Sequence, residues 1–117
     1  MYVCDMKLEN TKAQMRKGVL ELCILSIISE GEAYPSDIIN KLKDAELIGV
    51  EGTLYPLLTR LKNAGLLHYT WKESTSGPPR KYFHITDEGK DFLNELLGTW
   101  GQLVHAVSES TKNYQQQ

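Results

Sequence analysis

The sequence predicts a mainly α-helical fold with one small β-hairpin, on the winged helix-turn-helix plan. Three observations predict it. Apolar residues recur at helical spacing in four separate stretches. The stretch from Leu66 to Trp71 alternates at a period of two. Ser74-Thr75-Ser76-Gly77-Pro78-Pro79 then forms a turn-rich tip before a second extended run. No internal repeat and no second domain boundary is visible. A winged domain is assigned to residues 10–87 and a C-terminal helix to 88–112, with flexible ends at 1–9 and 113–117.

The first helix is expected from Asn10 to Ser29. Its second half, Leu22-Cys23-Ile24-Leu25-Ser26-Ile27-Ile28, is apolar nearly all round, the mark of a helix buried on most sides. Gly31 stops it. Tyr34-Pro35 opens the second helix, where proline suits a first turn, and Ile38, Ile39, Leu42 and Ala45 repeat along one face. Leu47-Ile48-Gly49-Val50 is a short extended stretch. The third helix covers Glu51 to Ala64, with Leu54, Leu57, Leu58, Leu61 and Ala64 on its apolar face. Pro56 lacks an N–H donor and is tolerable only in a first turn, so the helix proper starts near Gly52 or Thr53. Gly65 ends it. In the hairpin Leu67, Tyr69 and Trp71 share one face and His68, Thr70 and Lys72 the other; Arg80 to Ile85 is the returning strand. Thr86 caps the last helix, with Asp87 and Glu88 favourably placed against its dipole.

In 117 residues, 41% are hydrophobic and 24% charged, the balance of one ordinary globular domain. The net charge of −2 excludes nothing, because affinity for phosphate depends on where basic groups lie. Arg60, Lys62, Lys72, Arg80, Lys81 and Lys90 fall in the third helix and hairpin, and Lys7, Lys12, Arg16 and Lys17 in the first helix. Glu30, Glu32, Asp37, Asp44 and Glu46 concentrate in the middle, which allows either a polarised surface or solvated faces of mixed sign. Cys4 and Cys23 have no partner at metal-ligand spacing, and Cys23 reads as a buried thiol. His68, His84 and His105 are far apart, and no nucleophile–base set, phosphate-cradling loop or metal cluster is present. No cofactor and no enzymatic activity is expected. The apolar run from Val19 to Ile28 is too short to span a bilayer, and the cytoplasm is the expected compartment.

Three segments resemble the PadR family of transcriptional regulators: Lys17 to Leu22, Glu51 to Leu61 with its Thr53-Leu54-Tyr55-Pro56 core, and Gly77 to Gly89 with its Pro78-Pro79-Arg80-Lys81-Tyr82 run. The match covers about residues 10 to 110. One short C-terminal helix is similar to the compact, LmrR-like subclass. The resemblance implies a homodimer built on the last helix, double-stranded DNA bound by the third helix and wing, and an aromatic ligand at the dimer centre. Where many members carry Gly-Tyr-Glu-Ile at the second helix, this chain has Pro35-Ser36-Asp37-Ile38, and Tyr34 stands in for the displaced tyrosine. Val50 takes the place of a common polar cap residue.

The residues themselves point the same way. Thr53, Tyr55, Arg60 and Lys62 lie off the apolar face of the third helix, where groove contact competes with plain solvation. Tyr34 and Ser36 begin the helix before it. Arg80 and Lys81 follow a tip stiffened by Pro79; they reach phosphates or a minor groove, or simply solubilise an edge strand. The last helix carries Leu93, Leu96, Trp100, Leu103 and Val107 at heptad spacing, a stripe that wants a second copy and makes this a dimerisation helix. Trp100 is either dimer core or one wall of a site for a planar aromatic small molecule, with Leu22, Leu97 and Val104 as further walls. A transcriptional repressor follows from these calls. The competing reading is a winged-helix module that binds a protein partner without specific DNA binding.

Overall fold

A computed structural model describes residues 2–48 and 51–115. In chain order the elements are α1 (Tyr2–Lys17), α2 (Leu20–Ser29), α3 (Pro35–Asp44), a short 3₁₀ turn (Glu51–Thr53) leading into α4 (Leu54–Asn63), β1 (Leu67–Ser74), β2 (Gly77–Ile85) and α5 (Asp87–Gln115). The winged helix-turn-helix plan with a C-terminal helix is present, its helix pair formed by α3 and α4.

The elements differ from expectation at their edges. The single first helix of residues 10–29 is two helices. The chain breaks at Gly18-Val19, and α1 runs back through the stretch 2–9. Apolar periodicity crosses Gly18 without interruption, but glycine is a poor helix former and yields to the change of direction there. The extended stretch expected at 47–50 is a bend at Leu47 and Ile48, and residues 49 and 50 lie outside the described residues. The short extended segment lies earlier, at Ala33, which pairs with Phe83. The turn shrinks to Thr75-Ser76, because both strands run on to Ser74 and Gly77. α5 continues past Ser110 to Gln115; no breaker follows Gly101, and Lys112 pairs with Glu109 at 3.1 Å. Pro56 sits in the first turn of α4, as its missing donor requires. Ala64, expected on the apolar face of that helix, is exposed, and Leu57 is half-buried.

The core is a single cluster drawn from every element but α1. Leu20, Ile24, Leu25 and Ile28 of α2 meet Ile38, Ile39 and Leu42 of α3, Leu54, Leu58 and Leu61 of α4, Leu67 and Phe83 of the hairpin, and Leu93 of α5. The all-round apolar character of α2 is explained by this central place. Cys23 is half-buried at the cluster's rim rather than within it, and burial pushes its thiol pKa up.

The hairpin joins α5 at one tight junction. The Thr86 backbone N–H donates to Leu66 O at 3.1 Å, and its hydroxyl donates to Gly65 O at 2.8 Å. The same hydroxyl accepts from Gly89 N–H at 2.9 Å, the cap expected of it. α5 crosses so near that a Cβ on Gly89 would stand 2.2 Å from Leu66 O and 2.7 Å from Ile85 Cγ1. Gly65, at φ +81°, supplies the left-handed turn that ends α4 and feeds this junction.

Gly89→Ala should therefore destabilise the fold by about 2–3 kcal/mol through overpacking, and Thr86→Val by about 1 kcal/mol through the lost cap. Urea unfolding measures both; a Gly89→Ala protein as stable as wild type would refute the close crossing.

Candidate nucleic-acid interface

The register of the hairpin assigns each side chain to a face. Leu67 opposes Ile85, Tyr69 opposes Phe83 and Trp71 opposes Lys81; between them His68 opposes His84, Thr70 opposes Tyr82 and Lys72 opposes Arg80. Alternation puts the first set on one face and the second on the other, as the sequence predicts.

On the first face, cations and rings alternate. Lys62 of α4 stands 5.4 Å from the Tyr69 ring centroid, and Lys81 stands 4.4 Å from Tyr69 and 5.3 Å from Trp71. These distances suit cation–π attraction, worth about 0.5–1 kcal/mol each at exposed sites. They brace the wing against α4.

On the second face the wing meets the segment before α3. Ala33 N–H donates to Phe83 O at 3.2 Å, and Phe83 N–H donates to Ala33 O at 2.9 Å. This pairing delivers Glu32 and Tyr34 to the hairpin. The Glu32 carboxylate accepts from Lys72 at 2.7 Å and lies 3.5 Å from His84 Nε2. The Lys72 hydrogen bond, partly opposed by desolvation, holds its pKa below the ordinary value. The rings of Tyr34 and Tyr82 lie 3.7 Å apart between centroids, and Arg80 stands 5.2 Å over Tyr34. Tyr34 is also the N-cap residue of α3: its N–H donates to Asp37 Oδ2 at 3.2 Å, and Pro35 follows at the first helical position.

These contacts gather three separate segments around one open groove of about 440 Å³. Tyr34 and Ser36 enter from the start of α3, Tyr55 from α4, and Pro79, Arg80 and Lys81 from β2. All six were candidates from the sequence. Pro35 and Trp71 line the same groove and were not. Arg80 and Lys81 make no ion pair among the described residues, whereas Lys72 is tied to Glu32 and Lys41 to Glu30.

The remaining candidates lie elsewhere. Lys62 borders the hairpin through Tyr69. Arg60, five residues past Tyr55 and so about 140° away round the helix, is ion-paired with Glu21 of α2. Thr53 is half-buried beside Arg16, Lys17 and Leu20, on the side of α4 away from the wing.

The α5 candidates divide. Leu93 is 7% exposed and belongs to the chain's own core, and Leu96 packs against that core. Leu97, Trp100, Leu103, Val104 and Val107 are exposed, Trp100 at 45%. Trp100 borders two shallow apolar depressions against α2. Leu22 lines both of them, and Leu97 lines the one shared with Cys23 and Leu42. Val104 lines neither. Among the described residues no group of three or more His, Cys, Asp or Glu side chains is placed to hold a metal ion.

Comparison with known proteins places this geometry among relatives. A model of the transcriptional regulator PadR-like family matches residues 24–95. A PadR-like transcription factor from Bacteroides fragilis is 59% identical, with a TM-score of 0.71 over 86% of this chain and 97% of that one. A PadR-like transcriptional regulator from Bacillus cereus is 44% identical, with a TM-score of 0.73 over 82% and 94%. A PadR family transcriptional regulator from Eggerthella lenta is 33% identical and superposes with a TM-score of 0.85 over 93% and 96%.

The ring pair at the wing root carries a titration signature. The Tyr34 hydroxyl hydrogen-bonds Tyr82, and with desolvation and the nearby Glu32 and Asp37 this pushes the Tyr82 phenol up to about 12. The folded value is raised, so the contribution to stability is present below the ordinary 10.0 and is lost as pH rises through about 12. Absorbance titration of phenolate should find one tyrosine ionising near 12, returning towards 10.0 in Tyr34→Phe. An unaltered titration curve in that variant would contradict the Tyr34–Tyr82 contact.

Proposed function

The chain belongs to the PadR-like family of transcriptional regulators, and from that premise we propose that it is a repressor that binds operator DNA as a homodimer. Members of the family are transcriptional regulators and not enzymes. The observation that carries the DNA reading is the groove shared by α3, α4 and the wing. Its two unpaired cations, Arg80 and Lys81, supply phosphate contacts, and Pro79 limits the entropy lost when the tip docks. Ser36, in the first turn of α3, offers a hydroxyl and a backbone N–H at the positive end of the helix dipole. Tyr55 projects from α4 into the groove and reads a base edge or a phosphate. Lys62 and Thr53 extend the contact along α4, and Arg60 joins it by exchanging Glu21 for a phosphate.

The exposed stripe of α5 supports the dimer. Trp100, Leu103 and Val107 leave apolar surface in water that a second copy of the helix buries, while Leu93 and Leu96 anchor the same helix to its own domain. Twofold symmetry then sets two α4 helices about 34 Å apart, one DNA turn. A planar aromatic small molecule fits between the two Trp100 rings, with Leu22, Leu97 and Val104 beside it, and shifts the spacing of the α4 helices. Repression needs only occupancy of DNA and no activating surface. The regulator acts in the cytoplasm; among the described residues no helix is long and apolar enough to cross a membrane.

Three measurements test the reading. In fluorescence anisotropy with duplexes from its own promoter region, Arg80→Ala with Lys81→Ala should lower the log–log salt slope by about 2, near 0.9 per lost phosphate contact. A slope equal to wild type would remove the wing from the interface. In sedimentation, Leu103→Glu with Val107→Glu should convert a dimer to a monomer; an unchanged oligomer would sink the α5 interface. In Trp71→Phe, Trp100 is the remaining indole of two, and a planar cationic dye should quench it to saturation. A linear, non-saturating response would end the ligand reading.

A further inference from the structure

We propose that Trp71 is a further DNA-contacting residue, packing its indole on the sugar–phosphate backbone that runs between α4 and the wing. The inference rests on the DNA-binding reading above and adds to it a contact that carries no charge.

Trp71 is 61% exposed, on a strand whose other face is polar, so most of a large apolar ring stands in water. It lines the same groove as Tyr55, Arg80 and Lys81. The ring is held in place before any ligand arrives. Lys81 opposes it across the hairpin, with the ammonium 5.3 Å from the ring centroid. Tyr69 meets it edge-on, with centroids 6.2 Å apart and planes at 89°. Tyr69 is in turn braced by Lys62 and Lys81. Little rotamer freedom is left to lose on docking.

The chemistry of this surface matches one partner. A flat apolar ring suits the face of a deoxyribose, and the indole N–H is a donor with no acceptor role, suited to a phosphate oxygen. Lys81 beside it attracts the same phosphate. A backbone entering the groove to reach Arg80 and Lys81 must cover the indole. The alternative is that Trp71 serves only as a cross-strand partner that positions Lys81.

Salt dependence separates the two. A neutral contact contributes affinity without releasing a counterion, whereas a displaced lysine lowers the salt slope. The experiment measures binding of a mixed-sequence duplex and of a duplex from the protein's own promoter region by anisotropy at several salt concentrations. It compares wild type, Trp71→Ala, Trp71→Phe and Lys81→Ala. Trp71→Ala should bind both duplexes about tenfold more weakly with an unchanged salt slope. Trp71→Phe, which keeps a ring but loses the N–H, should lie between. In Trp100→Phe, where Trp71 is the remaining indole, emission should change on adding either duplex. Undiminished affinity in Trp71→Ala, a slope that falls as it does in Lys81→Ala, or unchanged Trp71 emission each overturns the proposal while leaving the DNA reading intact. Failure of the wild-type protein to bind either duplex overturns both.

Discussion

Two backbone hydrogen bonds between Ala33 and Phe83, at 3.2 and 2.9 Å, set the geometry on which the rest of the surface depends. They fix the register between the segment before α3 and the wing. Side chains alternate along a strand, so a slip of one residue would turn Tyr82 and Arg80 away from Tyr34 and bring Lys81 in their place. With the register held, Glu32 meets Lys72, and Tyr34 meets both Tyr82 and Arg80. The start of α3 is thereby fastened to the wing on one side. Lys62 and Lys81 share the Tyr69 ring and fasten α4 to it on the other. Each link is weak by itself. Their common effect is that three segments distant in sequence face one groove without waiting for a ligand to assemble them.

The second constraint is the crossing of α5 over the end of α4. Gly89 lets the helix lie against Leu66, and the Thr86 hydroxyl closes both chain ends at that point. From there α5 is shared between two roles. Its first turns give Leu93 and Leu96 to the domain core, and its later turns expose Trp100, Leu103, Val104 and Val107. A rotation of the exposed half is therefore felt at the capped junction beside β2. This is the physical route by which an event at Trp100 reaches the wing.

Much of this was legible in the sequence, where composition and periodicity act locally. The α3 start at Tyr34-Pro35, the first-turn place of Pro56, the Thr86 cap and the faces of the hairpin follow from propensity and alternation, and the structure agrees. Three features did not follow because they depend on long-range pairing. The helix break at Gly18 is hidden beneath continuous apolar spacing. The extended residue at Ala33 is a single bridge, too short to leave a pattern. Arg60 looks like any outward-facing cation until Glu21 of α2 is placed beside it. Trp71 was read only as one face of a strand; its neighbours in the groove come from α3 and α4 and could not be listed from the hairpin alone. The stripe on α5 was visible as a heptad, but the use of Leu93 by the chain's own core was not.

The central claim is that α3, α4 and the wing bind DNA as one surface. Mapping backbone amide shifts during titration with a duplex from the promoter region tests it most directly. The account predicts that the amides of Tyr34, Ser36, Tyr55, Arg80 and Lys81 move together, with a common dependence on DNA concentration. Shifts confined to the wing, or centred on α1 and the exposed face of α5, would contradict it.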